Sequence, residues 1–194
     1  MHPIERTRQP QIIEASSPDE AASTLAQILV EQHGLFTEWK VPTPPRNAHI
    51  APAPSRTAPR DIWVLAEILD GQVRPVVFEL LGRARELAQA LGSTVSAVLL
   101  GHHVTPHIPT LAAHGADQVL CGDDAHLVTS DVTVHAQVLT TALRQHTAGI
   151  VLAPSTSYGR DLAPRVAAQC SLGLTGDCID LGLDEDGRLV QYKP

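Results

Sequence analysis

The chain has 194 residues, of which 43% are hydrophobic and only 3% aromatic, so its core must be built from Leu, Val, Ala and Ile. The formal net charge of −7 argues against a nucleic-acid partner, which would need a basic surface. No apolar run is long enough to cross a bilayer, and the first residues lack a signal-peptide pattern. We therefore expect a cytoplasmic protein that binds neither membrane nor nucleic acid.

Cysteine and histidine spacing predicts no metal site. The three cysteines form no C-x-x-C pair and are odd in number, which favours buried free thiols in a reducing cytosol. His102, His103 and His107 share one loop, but neighbouring prolines disrupt the helix that a histidine pair would need, and no acid or thiol completes a set. These histidines are therefore interpreted as solvated loop residues.

The first 60 residues are expected to form an appendage and a linker. Ser17, Pro18 and Glu20 make a capping box with proline at the first helical position, and apolar residues follow at helical spacing. This pattern predicts an amphipathic helix over residues 17–33, within a tail of residues 1–40. Residues 41–60 contain six of the 15 prolines and few large apolar groups, which predicts a semi-extended linker.

From residue 61 onward, short apolar runs alternate with segments of helical periodicity. The expected strands are residues 62–66, 95–100, 118–121 and 150–153, of which the first, second and fourth are expected to be buried. The expected helices are residues 79–91, 108–114, 132–146 and 160–169, and a turn at residues 69–72 is followed by residues 73–77 as an extension or bend. This alternation predicts an α/β domain over residues 61–194 with an open, mostly parallel sheet and helices on both faces.

The pattern changes after Gly173. Residues 177–183 alternate, residues 184–187 carry turn chemistry, and residues 188–192 return, which predicts a β-hairpin. Pro194 follows this hairpin directly. A domain seldom ends just after a strand, so we expect a larger architecture to which another segment or a partner contributes.

The stretch from Ile150 to Arg165 bears most directly on function. A strand, a polar turn at residues 155–159 and a helix that opens near residue 160 place this turn at the carboxyl end of the sheet, where ligands and partners bind. Its N–H groups and hydroxyls could receive an anion, or the hydroxyls could cap the helix. The candidate partner-interface residues, which could also pair with one another, are Ser157, Arg160, Asp161 and Arg165.

No motif predicts catalysis. The first strand is followed by residues 66–71, Ala-Glu-Ile-Leu-Asp-Gly, which lack the glycine pattern of a pyrophosphate cradle. Lys40 and Lys193 are the only lysines, and neither lies in a phosphate-binding loop. Ser155 and Ser157 lack the flanking glycines of a nucleophile elbow. We therefore expect no catalytic residue and no enzyme activity of this chain.

Residues from Ile62 onward resemble the N-terminal domain of the electron transfer flavoprotein alpha subunit. The most specific stretch is Ser-Tyr-Gly-Arg-Asp-Leu-Ala-Pro-Arg-Val-Ala-Ala at residues 157–168. Other matching stretches occur in family order at residues 64–67, 80–88, 98–101, 115–117, 173–178 and 186–191.

The resemblance implies a sheet of the adenine-nucleotide-binding alpha/beta type with a degenerate nucleotide pocket, and a heterodimer with a beta subunit. In this family FAD is carried mainly by the C-terminal domain of alpha, and it passes electrons from acyl-CoA-type dehydrogenases to a quinone reductase, as in fatty acid beta-oxidation. The family's FAD-binding motifs come after the position of Pro194. The resemblance thus implies that this chain alone holds no FAD, and that its partners are the beta subunit, a FAD-domain polypeptide, the dehydrogenase and the quinone reductase.

Residues 12–22, with the predicted helix up to Gly34, resemble the C-terminal tail of the beta subunit. That likeness implies a beta-to-alpha fusion through the proline-rich linker. The leading hypothesis is a scaffold domain that holds the beta subunit and orients the FAD domain. Two alternatives stay open: a stand-alone nucleotide-binding module of the universal-stress type, with residues 155–159 around a phosphate, and an inactive gene fragment.

Overall fold

The computed structural model describes residues 61–128, 131–146 and 148–194, together with the backbone of residues 36–40. The expected helix at residues 17–33 and the expected linker at residues 41–60 lie outside the described residues and stay predictions.

A five-stranded sheet forms the centre of the fold. Its strands are β1 (Phe36–Lys40), β2 (Asp61–Ala66), β5 (Val95–Gly101), β6 (Gln118–Asp123) and β7 (Ala148–Leu152). They lie in the order β1-β6-β5-β2-β7, with β1 antiparallel to β6 and the other neighbours parallel. Two hairpins flank the sheet, β3 (Ile68–Leu69) with β4 (Gln72–Val73), and β8 (Asp180–Leu183) with β9 (Leu189–Tyr192).

Among the described residues, four helices cover the two faces of the sheet: α1 (Pro75–Leu91), α2 (Ile108–Ala113), α3 (Val132–Gln145) and α4 (Ser157–Cys170). Apolar residues of α1 and α2 pack in one core with the inward residues of β2, and those of α3 and α4 pack in a second core on the opposite face. The predicted class, an α/β fold with a mostly parallel sheet and helices on both faces, is therefore confirmed.

The first predicted strand, which is β2 in the structure, is apolar throughout because both of its faces are buried. Ile62 and Val64 point into the core with α1, whereas Trp63 and Leu65 point into the core with α3 and α4. A parallel strand covered by helices on both faces has no polar side to offer. At the edge strand β7 the expected burial on both faces is only partial: Ile150 and Leu152 pack in the core with α1 and Val151 in the core with α3 and α4, but only Leu152 is buried.

Helix α1 begins four residues earlier than predicted, and residues 73–77 do not extend the preceding strand. Pro75 takes the first helical position, where its missing N–H costs nothing, and Arg74 precedes it in an extended conformation. Val76 and Val77 are β-branched, which is why the pattern favoured a strand. The predicted end is confirmed, since Gly92 adopts the left-handed conformation with φ 66°.

The C-terminal hairpin is confirmed and is fastened to α1. Arg83 donates to Asp180 Oδ1 at 2.8 Å and to the carbonyl oxygen of Leu181. Strand β8 begins three residues later than predicted, because Asp177 has a φ of 56° and breaks the extended run.

Strand β1 is not predicted by the sequence pattern. It pairs with β6 from Phe36 opposite Gly122 to Lys40 opposite Gln118, and so forms one edge of the sheet. Within the described part of the chain, no helix is both long and apolar enough to span a bilayer.

Candidate partner-binding site at the carboxyl edge of the sheet

The direction of chain progression reverses at β2. From β2 the chain moves outward to β5 and β6, and then crosses to β7 on the other side of β2. In open parallel sheets, ligands bind outside the carboxyl ends of the strands that flank such a reversal. Glu67, after β2, and residues 153–156, after β7, therefore meet at the position where this type of fold places a binding site.

Thr156 caps the helix that follows β7. Its Oγ1 accepts a 3.1 Å hydrogen bond from the N–H of Gly159, so helix α4 begins at Ser157 rather than at the predicted residue 160. The interpretation in which a turn hydroxyl caps the helix is thus confirmed for Thr156. The earlier start adds Ser157, Tyr158 and Gly159 to the first turn of the helix.

Gly159 is required by a close approach of two backbone segments. A Cβ placed at this residue would collide with the carbonyl oxygen of Pro154. The tight contact brings the end of β7 against the first turn of α4 and leaves room only for glycine at this position.

The carboxylate of Glu67 lies beside the N-terminus of α4. Oε2 of Glu67 accepts a 2.7 Å hydrogen bond from Thr156 Oγ1, and Oε1 pairs with Arg74 at 3.2 Å. The residue is only 7% exposed. A helix N-terminus favours negative charge, and here the protein supplies that charge itself. A phosphate arriving at the same place would meet this carboxylate.

Arg160 bridges the helix to the loop that follows it. Its guanidinium pairs with Asp177 Oδ1 at 2.8 Å, and its Nε donates to Ser155 Oγ at 3.1 Å. Both members of the Arg160–Asp177 pair are largely exposed, so the pair fixes the loop without removing the charges from the surface.

Arg165 and Asp161 pair along the helix. Nε of Arg165 lies 3.0 Å from Asp161 Oδ1, one turn apart, and both side chains are half-exposed. Ser157 is exposed at the first position of the helix. The structure thus places the four predicted interface residues at exposed positions of α4, but each arginine pairs with a different carboxylate and they form no joint cluster.

A largely buried pair between α3 and α4 was not predicted from the sequence. Nδ1 of His135, on α3, lies 2.5 Å from the hydroxyl of Tyr158, and the two rings meet edge to face. Burial lowers the pKa of His135 and raises the pKa of Tyr158. The two residues are 23 positions apart in the chain, so the spacing of residues within a single helix or strand could not predict this contact.

The loop after β5 is organised by Asp123. Its carboxylate accepts hydrogen bonds from the N–H groups of His103, at 2.6 Å, and Thr105, at 3.0 Å, and from the Thr105 hydroxyl. Partial burial would raise the pKa of Asp123, but these donors outweigh it and the pKa is lowered. The histidines of this loop therefore lie where the loop backbone is held by a carboxylate.

The metal and thiol chemistry of the described residues is simple. They contain no group of three or more histidine, cysteine or acidic side chains arranged to hold a metal ion. Cys121 is a buried free thiol, and burial raises its pKa to about 11. Cys170 and Cys178 are free but only half-buried, so the expectation of buried thiols holds for one cysteine of the three.

Two concave regions lie near this edge. A cavity of about 120 Å³ lies at the carboxyl ends of β2 and β5. A surface cleft of about 1370 Å³ follows the outer edge of β7, between α1, α4 and residues 171–181. Three large apolar side chains, Leu172, Leu174 and Ile179, line this cleft and are each about half exposed or more. The cleft thus combines an apolar floor with the charged turn of Arg160.

The turn after β2 does not have the chemistry of a flavin pyrophosphate site. The small cavity is lined by the Glu67 carboxylate and lacks the volume of a nucleotide. Arg83 and Arg160, which line the larger cleft, are already paired with Asp180 and Asp177. A pyrophosphate needs free N–H groups of a glycine-rich turn, and the turn after β2 offers a carboxylate instead.

The strand order and the crevice at the reversal define an α/β protein of the doubly wound type. Residues 62–194 match the model of the electron transfer flavoprotein domain. The chain therefore belongs to the electron transfer flavoprotein family, and the resemblance inferred from residues 62–191 is confirmed.

The similar proteins include alpha subunits of electron transfer flavoproteins. The chain is 41% identical to that of Megasphaera elsdenii over 69% of this chain and 39% of the relative, and 40% identical to that of Clostridium acetobutylicum over 70% and 40%. It is 39% identical to the lactate dehydrogenase (NAD(+),ferredoxin) subunit LctC of Acetobacterium woodii over 70% and 32%. The chain thus spans about two fifths of the length of each of the two alpha subunits.

Proposed function

We propose that this chain is the alpha-type scaffold of an electron transfer flavoprotein. It holds a beta-type subunit and orients a FAD-bearing domain, so that electrons pass from an acyl-CoA-type dehydrogenase to a quinone reductase in the cytoplasm. The observation that carries this proposal is the match of residues 62–194 to the electron transfer flavoprotein domain, together with 41% identity to an alpha subunit.

The surface around α4 supports a scaffold role. Arg160 and Asp161 are exposed on the first turns of the helix, next to a cleft with exposed Leu172 and Ile179. A patch that combines apolar area with arginine resembles the centre of a protein interface more than an ordinary surface. We therefore assign the beta-type subunit and the FAD domain to this side of the molecule.

In this proposal the flavin carries the redox chemistry and the chain supplies position and electrostatics. FAD belongs to the assembled complex and lies outside the described residues, whose internal carboxylate and paired arginines do not suit it. The chain by itself is an electron-carrier component rather than an enzyme. The tail of residues 1–40 is proposed to come from a beta-type subunit, joined through residues 41–60.

One observation favours a second function. The strand reversal at β2 is the place where nucleotide-binding modules of the universal-stress type bind their ligand. Against this alternative, Glu67 occupies the N-terminus of α4, where a phosphate would have to sit. A third reading, an inactive gene fragment, predicts no partner at all.

The decisive experiment mixes the purified full chain with the beta-type subunit of its own organism and with a FAD-domain polypeptide. We expect a stable complex by size-exclusion chromatography with light scattering, colourless without the FAD domain and absorbing near 450 nm with it. Arg160→Ala and Arg165→Ala should each weaken association about fivefold or more, the loss of about 1 kcal/mol that defines an energetically important interface residue.

The matched control is Arg188→Ala, which removes an arginine from the exposed turn of the β8–β9 hairpin. It should leave association unchanged. A chain that is yellow by itself would overturn the assignment of FAD to another domain. Micromolar ATP binding by the chain would support the nucleotide-binding module instead, and the lack of any complex would support the inactive fragment.

A further inference from the structure

The cavity at the carboxyl ends of β2 and β5 has the features of a small-molecule site. Its walls come from the turn after β2, the loop after β5, residues 127 and 128, and the His135–Tyr158 pair. Ile68, Leu100 and Leu127 supply apolar wall area, but polar atoms make up the larger part of the exposed wall. Polar side chains that line the same small space are what fixes the orientation of a ligand in a pocket.

His135 carries the strongest sign of a missing ligand. The residue is 4% exposed and lines the cavity, and its Nε2 is buried without a hydrogen-bond partner among the described residues. A backbone group of Leu127 favours the protonated ring, but makes no hydrogen bond of normal geometry with it. Buried polar atoms in folded proteins nearly always have a partner, so this nitrogen calls for one inside the cavity.

The partner of Tyr158 fixes the chemistry that Nε2 presents. The hydroxyl keeps its proton, and Nδ1 of His135, at 2.5 Å, is its one hydrogen-bond partner among the described residues, so we assign Nδ1 as the acceptor. A neutral imidazole that accepts at Nδ1 carries its proton on Nε2. The proton position is assigned from this hydrogen-bond arrangement. His135 therefore offers an N–H donor to the cavity and needs an acceptor in return.

The opposite requirement comes from Glu67. Its carboxylate also lines the cavity, and it can accept hydrogen bonds beyond those from Thr156 and Arg74. It disfavours an anionic ligand because like charges repel. Nδ1 of His102 adds a second buried polar atom without a hydrogen bond among the described residues, and it lies 4.0 Å from Asp123 Oδ1.

We propose that this cavity binds a small uncharged ligand of the carboxamide class, whose oxygen accepts from His135 Nε2 and whose N–H group donates to Glu67. The size agrees, because about 120 Å³ corresponds to roughly four water molecules at ~30 Å³ each, and so admits a ligand of a few non-hydrogen atoms. The proposal is independent of the partner-binding function above, since it concerns residues behind α4 rather than its exposed face.

Acetamide and acetate are the probes, because they have nearly the same shape and differ in charge. The full chain with ¹³C-labelled histidine is titrated with each at pH 7.5, and the ring resonances are followed by NMR. We expect acetamide to shift the His135 resonances saturably, at millimolar concentrations, and acetate to bind at least tenfold more weakly. His114, which stacks on Phe78 away from the cavity, serves as the internal reference.

Two variants make the result specific. His135→Phe should abolish saturable binding of acetamide as followed by the His102 ring, whereas His114→Phe should leave it unchanged. Should His135→Phe not fold, Tyr158→Phe keeps the aromatic ring, frees the tautomer of His135 and should weaken acetamide binding several-fold. A cavity that holds only water gives no saturable shift, and either that result or equal binding of acetamide and acetate overturns the proposal.

Discussion

The hydroxyl of Thr156 donates a 2.7 Å hydrogen bond to the carboxylate of Glu67, which lies 89 residues earlier in the chain. The same oxygen of Thr156 accepts from the N–H of Gly159. The Thr156 side chain thus joins the end of β2 to the start of α4. It holds the Glu67 carboxylate at the point where the strand order reverses. The presence of Glu67 at this helix terminus is the main structural reason to favour a scaffold over a nucleotide-binding module.

Thr156→Val removes both hydrogen bonds of this hydroxyl while keeping the shape of the side chain. We expect the free energy of unfolding to fall by about 1–3 kcal/mol, because the helix loses its cap and a buried carboxylate loses a donor. Urea unfolding followed by circular dichroism measures this. Thr156→Ser, which keeps the hydroxyl, should lie close to the parent, and equal stability of the valine variant would contradict the role of the hydroxyl.

Gly159→Ala tests the contact between Pro154 and α4. Alanine would normally stabilise a helix interior by about 1 kcal/mol, but here its Cβ collides with the Pro154 carbonyl, so we expect a loss of about 1–3 kcal/mol or more. Gly82→Ala in α1 is the matched control, because a Cβ there meets nothing within 4 Å. The two substitutions should shift the melting temperature in opposite directions.

The buried His135 makes stability depend on pH. Burial lowers its pKa in the folded state, against weaker opposing effects of Leu127 and of the charge of Asp131. Above the ordinary value of about 6.5 the ring is neutral in both states and its full contribution to stability is present. Below that value the unfolded chain binds a proton that the folded chain does not, so the free energy of unfolding falls by up to about 1.4 kcal/mol per pH unit until the folded-state pKa is reached.

Chemical denaturation between about pH 5 and 8 measures that slope. His135→Gln should flatten it below about pH 6.5, whereas His126→Gln, which changes an exposed histidine, should keep it. An unchanged slope in the His135 variant would show that another group is responsible.

Pairing with β1 is expected to protect backbone amides of β6 from hydrogen exchange. Successive N–H groups of a strand point to opposite sides, so one of Thr37 and Glu38 directs its N–H towards β6. Replacing both residues with proline therefore removes a hydrogen-bond donor to β6. We expect faster hydrogen exchange of backbone amides within residues 118–122, read by mass spectrometry. Prolines at Ala48 and Ala51, in the linker region, should leave this exchange unchanged, and equal exchange in both variants would contradict the pairing.

Much of the fold follows from local pattern, and its deviations have local causes. The strands β2, β5 and β6 are short apolar runs. The segments between them repeat apolar residues at helical spacing, so a mostly parallel sheet could be predicted. The sequence does not predict the start of α1, because its two adjacent valines are β-branched and favour a strand by residue type. The start of α4 was missed because Thr156, Ser157 and Ser155 are equally good caps by residue type, and only the hydrogen bond to Gly159 selects among them.

The candidate site depends on contacts that no local pattern contains. The sequence indicated that residues 157–165 matter, but it could not place Glu67 beside Thr156 or His135 beside Tyr158, because these pairs form only when the sheet brings distant segments together. For the same reason β1 was not expected, since its partner strand lies about eighty residues further along the chain and edge pairing leaves little mark on side-chain composition.

The two edge strands of the sheet differ in direction. β1 is antiparallel to its neighbour β6, whereas β7 is parallel to its neighbour β2. Among the described residues, no strand covers the outer side of either one. Two copies that met through their β7 strands about a two-fold axis would each use the same border, so that contact closes on a pair instead of continuing into a fibre.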